Sequence, residues 1–118
     1  MPQLIAAPTR IPVPGGKTID EYVGHLTTGT AEVSVAHMVA PGGWSEPAQT
    51  PEFDEMTLVL RGVVRVEHAD GVLDVAAGQA VITRKGETVR YSTPTEEGAE
   101  YVAVCLPAFA PDLAHRSD

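Results

Sequence analysis

Residues 50–62 read TPEFDEMTLVLRG, and this segment indicates what kind of fold the chain adopts. An acidic entry leads into a β-rich run from Met56 to Leu60, and Gly62 then ends the run. Because side chains alternate between the two faces of a strand, a Glu55 that points inward takes Thr57 and Val59 inward with it. The segment therefore predicts a strand that carries a carboxylate into the interior of a β-structure.

Short β-rich runs recur on both sides of this segment, each bounded by glycine, proline or an Asp-Gly pair. They cover residues 32–39, 63–68, 72–75, 80–83, 88–92 and 101–106. Asp70-Gly71 is the strongest hairpin signal, because a type I′ turn needs positive φ at both central residues. Gly62 is expected to separate the run before it from the run after it. About eight short antiparallel strands without a long helix predict an all-β, single-domain barrel or sandwich.

The composition excludes several classes of partner. The 118 residues include 8 basic and 16 acidic side chains, so the formal net charge is −8. Such a surface repels the phosphates of nucleic acids and of anionic membranes, and we expect no nucleic acid and no membrane as a partner. No apolar run approaches the ~20 residues that span a bilayer, and the N-terminus lacks a secretory pattern. Cys105 is the single cysteine, which suits the reducing cytoplasm, so we expect a cytoplasmic protein.

Two spacings in this sequence resemble those of the cupin superfamily. Glu55, six further residues and Gly62 match the second half of the first cupin motif, and Gly78 and Gly86 fall in register with the second motif. Residues 50–62 are similar to the ethanolamine-utilisation-type cupins, a group of small proteins without the metal-binding histidines. The resemblance implies a cupin jelly-roll β-barrel over residues 32–108.

The segments outside the barrel have weaker patterns. Residues 1–31 are expected to form an N-terminal arm that can supply edge strands, within which residues 18–26 suit either a helical turn or a short strand. Residues 109–118 form a C-terminal tail with a weak helical pattern. Small cupins commonly pair through a sheet face or an exchanged N-terminal strand, and the proline-rich arm from Ala7 to Gly16 suits such a contact. The resemblance therefore implies a homodimer.

The metal site of typical cupins is largely missing here. That site consists of three histidines and one glutamate. Depending on the spacing, the paired histidines are replaced by Gln49 and Pro51 or by Ala48 and Thr50, and the third histidine is replaced by Val89. Only the glutamate is kept, and one carboxylate does not supply the ligands that a first-row transition metal requires. We therefore predict no metal and no cofactor.

Four side chains are candidates for acid–base catalysis inside such a barrel. Glu55 facing an apolar interior would have a raised pKa and would exchange protons, or else it hydrogen-bonds a neighbouring strand. Glu46, on the approach to the same strand, is either a catalytic group or a solvated rim carboxylate. Tyr91 shares an inward face with Val89 and suits either a site role or core packing. His37 lies on an apolar strand face, where it is either a complementary acid or base or a core histidine whose hydrogen bonds are satisfied.

Five further residues are candidates for substrate binding. Gln49 replaces a metal ligand and would orient a substrate, or it forms a hydrogen bond within its loop. Thr57 and Val89 share inward faces with Glu55 and Tyr91. The other two are Trp44, as a lid or wall at the mouth of the barrel, and Lys17, on the arm that closes the mouth.

The preferred interpretation is a metal-independent cupin that binds a small organic molecule inside its barrel. We expect it to be an enzyme of the lyase or isomerase class, such as a dehydratase, epimerase or cyclase, because these reactions need only acid–base side chains. Two alternatives remain open. One is a non-catalytic binding or accessory module, and the other is a divergent metal site in which Glu55 acts with Gln49, His37 or Glu46.

Overall fold

A computed structural model describes residues 1–117 of the chain. Nine antiparallel β-strands form where apolar residues alternate along the sequence. The strands curl around a shared interior, so the predicted all-β jelly-roll fold is confirmed. The strands are β1 (Thr9–Ile11), β2 (Thr18–Val23), β3 (Ser34–Ala40), β4 (Trp44–Ser45), β5 (Asp54–His68), β6 (Gly71–Ala76), β7 (Ala80–Thr83), β8 (Arg90–Thr93) and β9 (Ala99–Leu106). One helical turn, α1 (Pro111–Ala114), follows them, and in residues 1–117 no helix has the length and apolarity to cross a bilayer.

Strand β5 belongs to both sheets of the barrel. Its first half pairs with β7 and β9, in a first sheet ordered β1-β2-β3-β9-β5-β7. Its second half pairs with β6 and β8, in a second sheet ordered β6-β5-β8-β4. The sequence pattern suggested two runs separated by Gly62, but the structure shows one strand of 15 residues. The run is unbroken because a bulge between Val59 and Arg61 bends the strand and lets it pass from one sheet to the other.

The interior of the barrel is largely filled by one apolar cluster. Its members come from both sheets and include Val59, Val64, Val66, Val75 and Tyr101, each at most 4% exposed. Tight packing of branched side chains between two sheets is the main source of stability in this fold. A second, smaller cluster forms around Phe53 and Phe109, whose rings meet edge to face at 5.8 Å.

Both ends of the chain fold back onto the barrel. Strands β1 and β2 extend the first sheet beyond β3, so residues 18–23 form a strand and not a helical turn. Residues 113–117 run alongside residues 48–52. The backbone N–H groups of Thr50 and Glu52 donate to the carbonyls of His115 and Leu113, and that of Ser117 donates to the carbonyl of Ala48. These contacts bring the arm and the tail to the same side of the barrel as Glu55.

Candidate functional site

A cavity of about 540 Å³, counted with its open mouth, lies against the inner face of the first sheet. Its walls are mostly apolar and include Ile11, Ile19, Met38, Phe53 and Phe109. Its polar lining includes Gln49, Glu55 and Arg116. A mostly apolar cavity with a few convergent polar groups is the usual form of a small-molecule site.

Glu55 lies in the first half of β5, between Cys105 of β9 and Thr83 of β7 in the register of the sheet. It is 9% exposed, and Thr57 and Val59 on the same face are buried as well. Burial and the nearby carboxylate of Glu46 raise the pKa of Glu55 to about 7, against the opposing influence of two cations. Within residues 1–117 its side chain makes no hydrogen bond, so both carboxyl oxygens are available to a ligand.

The two cations that face Glu55 come from opposite ends of the chain. Lys17 precedes β2, and its Nζ lies 4.2 Å from the ring centroid of Trp44 and 5.4 Å from that of Tyr101. Burial lowers the pKa of Lys17, although the charges of Glu46 and Glu55 oppose this. No carboxylate of the described chain lies within 4 Å of its amine, and the two aromatic faces are its nearest partners.

Arg116 is the second cation, and it lines the mouth of the cavity. One guanidinium nitrogen lies 3.7 Å from Oε2 of Glu46, whose side chain is 13% exposed. This distance is too long for a hydrogen bond, and in the described part of the chain the guanidinium makes no other polar contact. The Arg116 side chain is 37% exposed, so its donors are accessible at the mouth of the cavity.

Gln49, in one of the two possible alignments of the first motif, and Val89 align with histidine positions of typical cupins. Their backbones are joined by a pair of N–H···O bonds of 2.8 and 2.9 Å, and both residues are buried. The amide of Gln49 lines the cavity and makes no side-chain hydrogen bond to residues 1–117. The two segments that align with the histidine motifs are thus joined through their backbones.

A divalent metal does not fit this set of donors. Among the residues that the structure describes, no three His, Cys, Asp or Glu side chains gather at ligand spacing. The cavity offers Glu55 and the amide of Gln49, together with Glu21, which accepts hydrogen bonds from the following turn, and the Cys105 thiol, whose pKa burial raises. The cations Lys17 and Arg116 lie near Glu55. Two fixed positive charges oppose the binding of a third, and imidazole ligands are absent from this group.

Tyr91, Thr57 and Trp44 surround the site without lining its open space. The Tyr91 hydroxyl is 2.9 Å from Oγ1 of Thr83, and burial together with the charge of Glu55 raises the pKa of Tyr91. The hydroxyl of Thr57 is buried and has no hydrogen-bond partner in residues 1–117. Trp44 is 7% exposed and forms the aromatic wall under Lys17.

His37 lies on the opposite face of its strand. Its neighbours Ala36 and Met38 line the cavity, whereas its Nε2 is 2.7 Å from Oε2 of Glu100 on the outer surface. The alternating pattern of β3 predicted one apolar face, but both faces of this strand carry apolar residues. Alternation placed His37 on one face with Val35 and Val39, and the structure turns that face outward, which removes His37 from the candidate catalytic group.

Two polar residues of the cavity were not predicted from the sequence. Arg116 has no local pattern and reaches the site only through the backbone pairing of the tail. Glu21, which is 3% exposed, lies two residues after Ile19 and shares its inward face of β2, a relation that strand alternation in the sequence predicts. Its Oε1 accepts hydrogen bonds from Leu26 and Thr27, so its role is to hold the following turn.

Comparison with known proteins agrees with this architecture. The family model described as Cupin domain matches residues 35–105. A protein of Myxococcus xanthus (strain DK1622) named Endoribonuclease YbeY is 45% identical over 105 residues, which is 89% of this chain and 36% of that protein. The chain thus spans about a third of the length of this curated relative.

Two solved structures share the fold. Oxalate decarboxylase of Bacillus subtilis superimposes with a TM-score of 0.79 at 18% identity, over 95% of this chain and 30% of the decarboxylase. An ethanolamine utilization protein Q of Salmonella typhimurium LT2 gives a TM-score of 0.61 at 20% identity, over 79% of this chain and 71% of the other. At these identities the likeness establishes the fold and not the activity.

Proposed function

This chain belongs to the cupin domain family, and we propose that it binds a small organic molecule in the cavity beside Glu55 and moves a proton on it, as a lyase or isomerase. One observation carries the proposal. Gln49, Glu55 and Arg116 line the cavity, the charge of Lys17 acts on Glu55 from nearby, and within residues 1–117 none of these four side chains makes a hydrogen bond. Gln49 and Glu55 are buried, and because polar groups are costly to bury without a partner, a ligand that satisfies them would be stabilising.

Glu55 is the proposed proton carrier. A carboxyl group whose pKa is about 7 is present in both protonation states near neutral pH, so it can take a proton from a substrate and return it. Lys17 is the proposed complementary acid, because burial lowers its pKa toward the working range. In one turnover Glu55 gains a proton as Lys17 gives one up, and the return transfers restore both groups. The raised pKa of Tyr91 keeps its hydroxyl protonated, so Tyr91 does not act as a base.

The chemistry of these side chains favours lyase and isomerase reactions. Dehydration, epimerisation and cyclisation each need a base at one atom and an acid at another. The donor set around Glu55 supports a metal-independent reaction, since two cations stand where a metal would add a further positive charge. We therefore keep a metal out of the proposed mechanism.

A non-catalytic binding module is the second candidate. In the Myxococcus relative a segment 45% identical to this chain is about a third of a longer protein, which is the arrangement expected of an accessory domain. The ribonuclease activity in that protein's name is not part of our proposal, because a chain with a net charge of −8 repels RNA.

Proton exchange in D₂O tests the proposal without a known substrate. The wild-type chain, Glu55→Gln and the exposed control Glu97→Gln are incubated with a panel of small hydroxy acids, keto acids and sugars. Deuterium incorporation is then followed by NMR. We expect exchange on at least one compound, a loss of roughly 100-fold or more in Glu55→Gln, and no change in Glu97→Gln. Exchange that survives in Glu55→Gln contradicts the role of Glu55, and binding without any exchange supports the module.

A further inference from the structure

Gln49 and Glu55 are buried polar groups that no part of the described chain satisfies. Gln49 is 4% exposed, Glu55 is 9% exposed, and both side chains line the cavity. Within residues 1–117 neither side chain makes a hydrogen bond, and the polar atoms of both keep access to the open space of the cavity. Because burial without a partner is costly, these two groups are the ones that a bound molecule has to satisfy.

A hydroxyl group beside a carbonyl group matches this pair. A carboxyl group accepts hydrogen bonds, and when protonated it also donates one, so a hydroxyl, which donates and accepts, pairs with Glu55 in either state. The amide of Gln49 donates through its nitrogen, and a carbonyl oxygen would accept that hydrogen bond. A carbonyl also acidifies the neighbouring C–H bond, which suits a site that moves a proton.

The charges around the cavity oppose both anions and cations. Glu55 and Glu21 line it, and hydrogen bonds from the following turn stabilise the negative charge of Glu21. Arg116 at the mouth lies 3.7 Å from Glu46, so these two charges offset each other. An anion would lie against two carboxylates, and a cation would meet the positive field that Lys17 and Arg116 exert at Glu55. An uncharged molecule avoids both costs.

Small side chains on two neighbouring strands form the floor of the cavity. Ala36 of β3 lies opposite Ala103 of β9 in the register of the sheet, and Ser34 lies opposite Cys105. All four residues are buried and line the cavity. Cys105 is also the register partner of Glu55, so the floor leads to that carboxyl group. A larger side chain at Ala36 or Ala103 would fill the space that an apolar body can occupy.

We propose that the ligand is an uncharged hydroxy-carbonyl compound with an apolar body about the size of one ring, and that Ala36 and Ala103 limit the size of that body. This inference rests on the proposed function and deepens it. The hydroxyl group binds Glu55, and the carbonyl oxygen accepts a hydrogen bond from the amide of Gln49. The apolar body lies on the floor formed by the two alanines.

Four small compounds test the inference on the full chain. Mandelamide carries a ring, a hydroxyl and a carbonyl without a charge. Phenylacetamide lacks the hydroxyl, mandelate replaces the amide by a carboxylate, and lactamide replaces the ring by a methyl group. NMR titration measures the four affinities at neutral pH. We expect mandelamide to bind roughly tenfold more tightly than phenylacetamide and than mandelate.

Three variants locate the two ends of the ligand. Gln49→Met removes the amide and keeps the length of the side chain, and it should bind mandelamide roughly tenfold more weakly. Ala103→Val and Ala36→Val fill the floor, and each should weaken mandelamide roughly tenfold while lactamide stays within about twofold. An unfolded variant would lose lactamide as well, so this split separates a filled floor from a failure to fold.

Ala76→Val is the matched control for the floor. It adds the same atoms at an exposed position on β6, in the other sheet, and should match the wild type for both compounds.

Four results would overturn the inference. They are phenylacetamide or mandelate binding as tightly as mandelamide, unchanged mandelamide binding in Gln49→Met, no difference between the losses of mandelamide and lactamide in the two floor variants, and no binding of any probe at tens of millimolar. None of these measurements uses proton exchange or Glu55→Gln. Failure of the inference is thus distinguishable from failure of the proposed function.

Discussion

The burial of Glu55 reduces the free energy of unfolding by an amount that depends on pH. Its pKa rises from an ordinary value of 4.5 to about 7 in the folded chain, chiefly because burial disfavours the ionised form. The folded state therefore holds a proton that the unfolded state releases between these two values. The stability that this proton gives is complete below pH 4.5, falls as the pH rises, and is lost above pH 7.

We predict that Glu55→Gln removes this loss. Relative to the wild type, the free energy of unfolding of the variant should increase by about 3 kcal/mol between acidic and mildly alkaline pH, since one pKa unit corresponds to about 1.4 kcal/mol. Urea denaturation at a series of pH values measures the difference. Glu97→Gln is the control, because this side chain is exposed in a turn and should give a difference that does not change with pH. A pH-independent difference for Glu55→Gln would show that Glu55 titrates normally in the folded chain.

At the scale of the elements, β5 joins the two sheets and positions Glu55. Just after the bulge, Gly62 has a φ of +79° and lies against the backbone of the loop before β9. A Cβ at this position would overlap the carbonyl oxygen of Gly98. Glycine is thus required at this position for two reasons, the left-handed φ and the close approach of two backbones.

We predict that Gly62→Ala is much more destabilising than Gly78→Ala. Gly78 has a nearly identical φ of +84°, but a Cβ there would meet no atom within 4 Å. The control should cost about 1 kcal/mol, which is the strain of a left-handed alanine, whereas Gly62→Ala should cost about 3 kcal/mol or more because the strands must separate. Chemical denaturation of both variants provides the comparison. Equal losses would mean that the close approach to Gly98 does not contribute.

At the scale of the whole molecule, the outer face of the first sheet carries a row of apolar side chains. Met56 of β5 is flanked by Ile82 of β7 and Val104 of β9, and Leu58 lies beside Val102. Leu58 and Ile82 are 45% and 50% exposed. Contiguous apolar side chains on a flat sheet usually mark an interface, and two-fold homodimers are the commonest assemblies.

We predict that a second copy of the chain covers this face. The wild type should sediment as a dimer at micromolar concentration, and Leu58→Glu should sediment as a monomer because the charge would be buried in the interface. Leu73→Glu is the matched control, since Leu73 is 46% exposed on β6 of the other sheet. A monomeric wild type, or a Leu58→Glu variant that remains dimeric, would contradict this prediction.

Several features of the fold and site follow from short-range patterns. Alternation in residues 54–60 places Glu55, Thr57 and Val59 on one inward face, and the motif spacing from Glu55 to Gly62 identifies the family. The position of Gln49 opposite Val89 follows from the same resemblance. These features are local, since each depends on a strand and its nearest turn.

Other features depend on contacts between distant segments. Both faces of β3 carry apolar residues, and pairing with β2 and β9 turns the face of His37 outward. The close approach of Gly62 to the backbone of Gly98 is likewise a contact that no local pattern reveals.

Local sequence alone thus specifies an all-β cupin barrel with a carboxylate facing its interior, because strand alternation and turn residues act over a few positions. Only the closed tertiary structure brings Lys17 and Arg116, from the two ends of the chain, close enough to Glu55 to act on its pKa. Their positions depend on the pairing of the arm and the tail with distant strands. The electrostatic environment of Glu55 is therefore a property of the assembled barrel.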